Sequence, residues 1–297
     1  MMRDLRVLLF GAVLMVVGCT PTEEPVDDGD SDTATGSDID PDQQINFPDP
    51  VLRTCVEKLI YGKNPGDPIY AKEVANITKV DCDGVGDITG IEYFVSIKTI
   101  SFYNSQINNI DGIAKLYNVS ALIIRGGEIE NLNAIKNLSK LETININAAL
   151  KDISALEDKQ YLTSAFFASN KIENASAFSR LSSIQMIELQ NNPTLTTLGA
   201  QFTAPKLTNI NVGSCGLTSL NELSGLPELT SITAGDNYLT DISFITTLPK
   251  LGAIGIGGNC LPESEVQEFV DWWNAKNPEY PKTLEEVMQW QTPEKCQ

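Results

Sequence analysis

The chain has 297 residues, with 21 Lys and Arg against 39 Asp and Glu, so its formal net charge is −18 at pH 7. A chain this acidic is repelled by a phosphate backbone, which argues against nucleic acid as a partner. The sequence contains no His, which removes the most common general base, the Ser-His-Asp arrangement and most catalytic zinc sites. We therefore expect no enzymatic activity, no metal site and no cofactor.

The first 19 residues are typical of a secretory signal. Two Arg residues precede an apolar run, Val7 to Val17, whose eleven residues are too few to cross a bilayer. The sequence Val16-Val17-Gly18-Cys19 resembles the bacterial lipoprotein box, in which the Cys receives lipid and becomes the mature N-terminus. Thr20 resembles the outer-membrane sorting pattern of Gram-negative lipoproteins. The resemblance implies lipidation of Cys19 and an outer membrane lipoprotein that faces the periplasm or the cell surface. The alternative is an ordinary signal peptide with an incidental Cys.

Residues 20–46 are expected to be a disordered acidic tether. They contain nine Asp and Glu, no Lys or Arg, and many Thr, Ser, Gly and Pro. Such a composition favours a solvated chain over a packed core. The acidic run lacks the ligand spacing of an EF-hand, so a calcium loop is disfavoured. The tether would hold the folded part away from a membrane surface.

Residues 47–76 are predicted to form a helical cap. Phe47-Pro48-Asp49-Pro50 precedes an amphipathic pattern, in which Asp49 would be the N-cap and Pro50 the first helical residue. At the other end, residues 262–297 predict a second helical cap. Pro262 to Lys276 has one apolar face, and Thr283-Leu284-Glu285-Glu286 opens a short helix with a capping box. The Trp residues of this segment are interpreted as cap packing.

Residues 77–261 consist of repeats of about 22 residues. A degenerate turn begins at Ile77, and the first apolar positions of the eight turns that follow are Ile97, Val119, Leu141, Leu162, Ile184, Leu207, Leu229 and Leu251. Within a turn, alternation with period two predicts a short strand, and apolar residues three apart then predict a 3₁₀-like or extended return. One turn cannot bury its apolar side alone, so the turns stack into a solenoid with a parallel sheet.

The repeats resemble the leucine-rich repeat family. Asp241-Ile242-Ser243-Phe244-Ile245 and Asp111-Gly112-Ile113 are close to the return segment of its bacterial internalin-like branch. The resemblance implies an α/β solenoid: a right-handed coil with a concave parallel sheet, a 3₁₀ or extended convex side, and helical caps like the N-terminal one of internalin-like proteins. The family name implies binding without naming what is bound.

One column of the repeats is expected to bond the backbone where the chain leaves each strand, because a buried amide can pair groups left open there. The column contains Ser105, Gly127, Ala149, Asn170, Asn192, Cys215, Asn237 and Asn259. Asp111, Asp152 and Asp241 recur at similar turn positions, which indicates architecture rather than a catalytic carboxylate pair. Asp81, Asp83 and Asp87 are interpreted as part of a capping turn rather than a cation site.

Four of the six cysteines are predicted to form disulfides outside the inner membrane. Cys19 is assigned to lipid, and Cys215 lies in the inward column as a buried thiol. Three pairings of the other four are formally open. We favour the two local ones, Cys55 with Cys82 and Cys260 with Cys296, each of which would link a cap to its neighbouring turn.

The outward strand residues are the candidate binding surface. Ile123, Phe166 and Met186 are apolar side chains at outward positions, and the predicted protein-binding set also includes Tyr103, Arg125 and Glu188. Strands about 4.8 Å apart place Ile123 within roughly 15 Å of Met186, so one patch is feasible. Such a mixture is typical of a protein-binding hot spot.

The predicted function is a lipid-anchored module of the cell envelope that binds another protein through its concave face. The alternative is an envelope protein that binds peptidoglycan or a surface polysaccharide. A glycan would suit Asn145, Asn147, Asn209 and Asn211 beside the glycine-rich end of the sheet at Gly213, Gly235, Gly255 and Gly257. A hydrolase based on a carboxylate pair is the third and least favoured reading.

Overall fold

The computed structural model describes residues 39–292, so the secretory signal, Cys19, Cys296 and most of the predicted tether lie outside the described residues. Two helices come before the sheet, α1 (Pro50–Glu57) and α2 (Ala71–Val74), and two follow it, α3 (Glu263–Lys276) and α4 (Leu284–Met288). Within this part of the chain, no helix has both the length and the apolar character needed to cross a membrane.

The nine strands of the described residues form one parallel sheet, in which neighbours in sequence are neighbours in space. They are β1 (Lys79–Asp83), β2 (Thr99–Ser105), β3 (Ala121–Gly126), β4 (Thr143–Asn147), β5 (Ser164–Phe166), β6 (Met186–Glu188), β7 (Asn209–Asn211), β8 (Ser231–Thr233) and β9 (Ala253–Gly255). Short 3₁₀ helices such as Asp111–Ile113 and Asn133–Ile135 lie in the return segments. This order confirms the predicted solenoid, and the degenerate first turn contributes β1.

The core follows the repeat. Each of the eight first apolar positions, from Ile97 to Leu251, is at most 1% exposed. They pack with the inward residues of the strands and of the 3₁₀ segments into one continuous cluster. Since residues alternate along a strand, burial of one set leaves the other set on the opposite face of the sheet.

Buried asparagines bond the backbone where the chain leaves the strand. Asn192 is fully buried, and its Oδ1 accepts the N–H of Ile172 in the preceding turn at 3.0 Å. Its Nδ2 donates to the carbonyls of Phe167 and Leu189 at 2.9 and 2.7 Å. Equivalent bonds are made at the other asparagines of the column, Asn170, Asn237 and Asn259. The predicted amide column is confirmed at these four positions.

In the earlier turns the column contains residues other than Asn. Gly127 has φ +86°, and a Cβ there would lie 2.1 Å from the carbonyl oxygen of Ile107, so no side chain fits. In turn three we expected Ala149 in the column, but this was wrong: Ala148 is the buried residue, and Ala149 is left-handed with φ 59°. This turn is one residue shorter, and the carbonyl of Ala148 accepts the N–H of Ile129 at 2.7 Å.

Cys215 is the exception among the later turns. The residue is buried, and burial raises the pKa of its thiol. The turn that begins at Ile184 is one residue longer, and the N–H of Leu195 donates to the carbonyl of Asn192 at 3.0 Å. An amide at position 215 would therefore find no free N–H of Leu195 to accept, and a small thiol fills the space.

A second column begins the 3₁₀ segments. The side chains of Asn109, Asn131 and Asp152 each accept the N–H two residues later, at 2.7, 3.1 and 2.8 Å. Asp241 does the same with Ser243, and this backbone bond lowers the pKa of its carboxyl. Our placing of Asp111 in this column was wrong, because Asn109 has the equivalent position and Asp111 is the first residue of the 3₁₀ helix.

Asp49 links the N-terminal cap to the first turn. As predicted, it is the N-cap of α1, and its Oδ1 accepts the N–H groups of Val51 and Leu52 at 2.7 and 2.9 Å. Its Oδ2 accepts those of Gly86 and Asp87 at 2.6 and 3.0 Å. Burial alone would raise the pKa of this carboxyl, but the four backbone donors outweigh it, and the pKa lies below its ordinary value of 3.8.

A disulfide joins the same two parts of the chain. Cys55 of α1 is bonded to Cys82 of β1, which confirms the first predicted pair. The second predicted pair, Cys260 with Cys296, remains a prediction because Cys296 lies outside the described residues.

The end of the predicted tether is part of the cap. Ile45 is only 1% exposed, and its N–H donates to the carbonyl of Ile69 at 2.8 Å. Ala71 in turn donates to the carbonyl of Gln43 at 2.9 Å. The boundary at residue 46 was therefore placed too late, because an apolar side chain and backbone pairing order the last residues of that segment.

The C-terminal helices cover the other end of the core. The capping box of Thr283 and Glu286 is present at α4, and the ring of Phe269 in α3 lies 6.1 and 6.0 Å from those of Trp272 and Trp273. Beyond α4, the carbonyl of Trp290 accepts the N–H of Gly258 at 2.6 Å. The segment after α4 is therefore hydrogen-bonded to the last turn.

Lys159 is a polar residue in an apolar column. It lies where other turns have Leu116, Leu138 and Leu181, and it is 2% exposed. Its Nζ donates to the carbonyl of Lys136, and burial lowers the pKa of the amine. The solenoid thus accommodates one amine in its core by pairing it with a backbone carbonyl.

Asp49→Asn tests the contact between cap and first turn. Asn retains an oxygen for the helix N-cap but presents an amide to the N–H groups of Gly86 and Asp87. We expect the free energy of unfolding at pH 7 to fall by about 1–2 kcal/mol in chemical denaturation. Because the pKa of the folded carboxyl is lowered, its contribution is present above pH 3.8 and is lost as the pH falls through the folded value.

The difference between the wild type and Asp49→Asn should therefore shrink below about pH 4. Asp42→Asn is the matched control, since Asp42 is an exposed residue of the same cap that pairs with Lys72. Its change should stay below about 1 kcal/mol. Equal losses from the two substitutions would contradict the assigned role of Asp49.

Candidate functional site

The outward side chains of the sheet form three rows across the strands, which we call the concave face. The register aligns Ser101, Ile123, Asn145, Phe166, Glu188, Asn211, Thr233 and Gly255 as its middle row. The two flanking rows include Met186 on one side and Tyr103 and Arg125 on the other. The predicted outward positions are thus assembled on one surface, although Ser101 is only 2% exposed.

Three apolar residues form a cluster across strands β3 to β6 of this face. Ile123 and Phe166 lie in the middle row with Asn145 between them, which places their backbones about 10 Å apart. Met186 pairs with Ser164, diagonal to Phe166 in the adjacent row. All three side chains are half-buried, so they are accessible without protruding.

The adjacent residues Phe166 and Phe167 show how strictly the two faces are separated. Phe167 is fully buried in the core, 6.1 Å from the ring of Phe178. Phe166 points to the concave face one residue earlier. Packing of the core therefore explains Phe167 and leaves Phe166 without a role inside the fold.

Two charged groups flank the apolar cluster. The guanidinium of Arg125 lies 5.9 Å from the centre of the Tyr103 ring, a cation–π distance, and Arg125 is exposed. Glu188 lies opposite Phe166 in the register and accepts a hydrogen bond from Nδ2 of Asn211 at 3.1 Å. Neither charge is in an ion pair with another described residue. The predicted binding residues are therefore brought together on one surface.

Asn211 is hydrogen-bonded within the sheet. We placed it with the polar residues of a glycan surface, but its amide holds Glu188 and its Oδ1 accepts the N–H of Gly213 at 3.1 Å. Asn147 likewise donates to the carbonyl of Ala168 at 3.0 Å. These bonds leave fewer free polar groups for a sugar than the sequence indicated.

The C-terminal half of the face presents few side chains. Gly213, Gly235 and Gly257 succeed one another in one row, and a Cβ at Gly257 would lie 3.7 Å from that of Trp290. Lys282 lies 4.7 Å from the centre of the Trp290 ring, so a cation already covers that ring. Among the described residues, no group of three or more His, Cys, Asp or Glu side chains is arranged to hold a metal ion.

Comparison with known proteins shows the fold. No protein-family model matches the chain, and no curated protein matches it. Among solved structures, internalin C2 of Listeria monocytogenes is similar, with 23% identity, a TM-score of 0.56, and coverage of 73% of this chain and 87% of that one. The leucine-rich repeat domain of the type III effector XopL is also similar, with 16% identity, a TM-score of 0.55, and coverage of 64% and 72%.

A chain of the Drosophila Toll–Spatzle complex matches at 17% identity and a TM-score of 0.55, over 64% of this chain and 28% of that one. At these identities the likeness concerns architecture alone. The fold is a leucine-rich repeat solenoid with a parallel concave sheet and short 3₁₀ turns, as the sequence predicted.

Proposed function

We propose that this protein binds another protein through strands β3 to β6 of its concave face, and that it is not an enzyme. The observation on which the proposal rests is the cluster of Ile123, Phe166 and Met186 at outward positions. The core is complete without these side chains, and clustered apolar residues with an aromatic and an Arg at their edge are typical of protein interfaces.

The fold supports this proposal because it presents a wide, preformed surface. Each inner strand is hydrogen-bonded to a neighbour on both sides, so the sheet is a rigid platform. Little conformational entropy is therefore lost from the sheet on binding. One of the solved structures with this fold is a complex of two proteins, Toll and Spatzle. We favour protein over peptidoglycan or polysaccharide as partner because Asn147 and Asn211 are engaged in bonds within the sheet.

We further propose that the protein is attached to the outer membrane by lipid on Cys19. The support is the sequence Val16-Val17-Gly18-Cys19 after a short apolar run, and the acidic segment that follows would separate the solenoid from the membrane. The partner would then be another envelope or surface protein.

Replacement of both Phe166 and Met186 by Asp tests the binding face. With the full-length chain as bait for envelope extracts, we expect the variant to lose at least about tenfold of partner recovery, because two carboxylates would replace apolar contact area. The matched control is Ser231→Asp with Thr233→Asp, which places the same charges in the same two rows of β8. Melting temperatures of the two variants should be similar.

Recovery of the same partner by Phe166→Asp/Met186→Asp and by the wild type would contradict the proposal. Loss of the partner by both double variants would contradict it as well, because the effect would then come from added charge rather than from these positions.

Cys19→Ser tests the lipid anchor. Metabolic labelling with a fatty acid and membrane fractionation should show label and membrane association for the wild type and neither for the variant, since the thiol is the acceptor. Val17→Ala is the control, because it leaves the acceptor in place. Membrane association that persists without the Cys19 thiol would contradict lipidation at this residue.

A further inference from the structure

The charges of the concave face suggest what kind of segment the partner presents. Among the outward positions of β2 to β6, Arg125 is the one cation and Glu188 the one anion. They lie in β3 and β6, three strands apart, which corresponds to about 14 Å across the sheet. Phe166 in β5 lies between them, while Ile123 shares β3 with Arg125 and Met186 shares β6 with Glu188.

Each charge is held in place without being neutralised. The ring of Tyr103 supports the Arg125 guanidinium at 5.9 Å, and Asn211 donates to one carboxylate oxygen of Glu188 at 3.1 Å. Neither residue forms an ion pair within the described residues. Oriented charges of opposite sign at the two ends of an apolar strip are complementary to a ligand with the opposite arrangement.

We propose, on the basis of the protein-binding function above, that the partner presents an extended segment with an acidic residue opposite Arg125 and a basic residue opposite Glu188. Apolar side chains of the segment lie against Ile123, Phe166 and Met186. An extended chain rises about 3.3 Å per residue, so the two charges are about four or five positions apart.

The segment is extended rather than helical because the apolar residues of the face are recessed. Ile123, Phe166 and the intervening Asn145 are all half-buried, so contact requires a close approach to the sheet. A single extended chain is narrower than a helix, which is about 10–12 Å wide with its side chains, and it can therefore approach half-buried side chains more closely.

The test measures the affinity of three synthetic peptides for four forms of the full-length chain by fluorescence anisotropy. The peptides share an apolar interior of Leu and Phe and differ at two end positions, which are acidic and basic, both acidic, or both basic. The protein forms are the wild type, Arg125→Glu, Glu188→Lys and the double exchange.

The wild type should bind the peptide of mixed charge most tightly, by about threefold to fivefold over the other two. Arg125→Glu should prefer the basic peptide and Glu188→Lys the acidic one. The double exchange should again prefer the mixed peptide, because the peptide can bind in the opposite direction.

Thr233→Glu and Thr233→Lys are the controls, since they add charge to the middle row in β8, outside the cluster. Neither should alter the order of the three peptides. Adding salt should reduce the preferences of all forms, as expected of exposed charges.

The inference is overturned if no peptide binds the wild type, or if all four forms rank the peptides identically. Failure of the underlying function is distinguishable from this. Equal binding of all peptides that is lost in Phe166→Asp/Met186→Asp would retain the apolar site and reject the charge assignment. Binding that is unaffected by that double substitution would reject the site itself.

Discussion

In every turn of this solenoid, backbone N–H and carbonyl groups lose their strand partners where the chain leaves a strand. They lie where water is excluded, so they must be paired in another way. An unpaired buried N–H or carbonyl costs about 1–3 kcal/mol, and the same problem recurs in each repeat. Asn192 shows the usual solution, with one side chain bonding three backbone groups in two turns. Where Gly127 leaves no space for a side chain, the backbone itself comes close enough to pair.

Because the buried side chains pair the backbone from inside the coil, the outward residues are not needed to hold the fold together. The strands are held by backbone bonds and by the core, so the concave face can contain glycines near its C-terminal end and Phe166 at its centre without altering the coil. Residue types there are consequently more informative about binding than about folding. The contrast between the glycine-rich last strands and the apolar and charged side chains of β3 to β6 is the basis for placing the partner on β3 to β6.

The sequence predicted the features that depend on the regular spacing of the repeats. It did not predict those that depend on the length of an individual turn. Regular spacing placed Phe166 outward and Leu162 inward correctly. The shorter third turn could be accommodated on either side of its left-handed residue, so Ala149 was assigned in place of Ala148. The sequence shows Lys159 at a position that is apolar in the other turns. The spacing of residues does not show that its amine reaches the carbonyl of Lys136. The bond between Asn211 and Glu188 was likewise invisible, because it joins residues 23 positions apart on a surface.

The most direct measurement compares the free energies of unfolding of Phe166→Ala and Phe167→Ala. The core requires the ring of Phe167, whereas the ring of Phe166 is available for binding. Phe167→Ala should lose about 3–5 kcal/mol, as expected when a buried ring is removed. Phe166→Ala should lose less than about 1 kcal/mol. A comparable loss at both positions would mean that Phe166 serves the fold, which would contradict the assignment of the concave face as a binding surface.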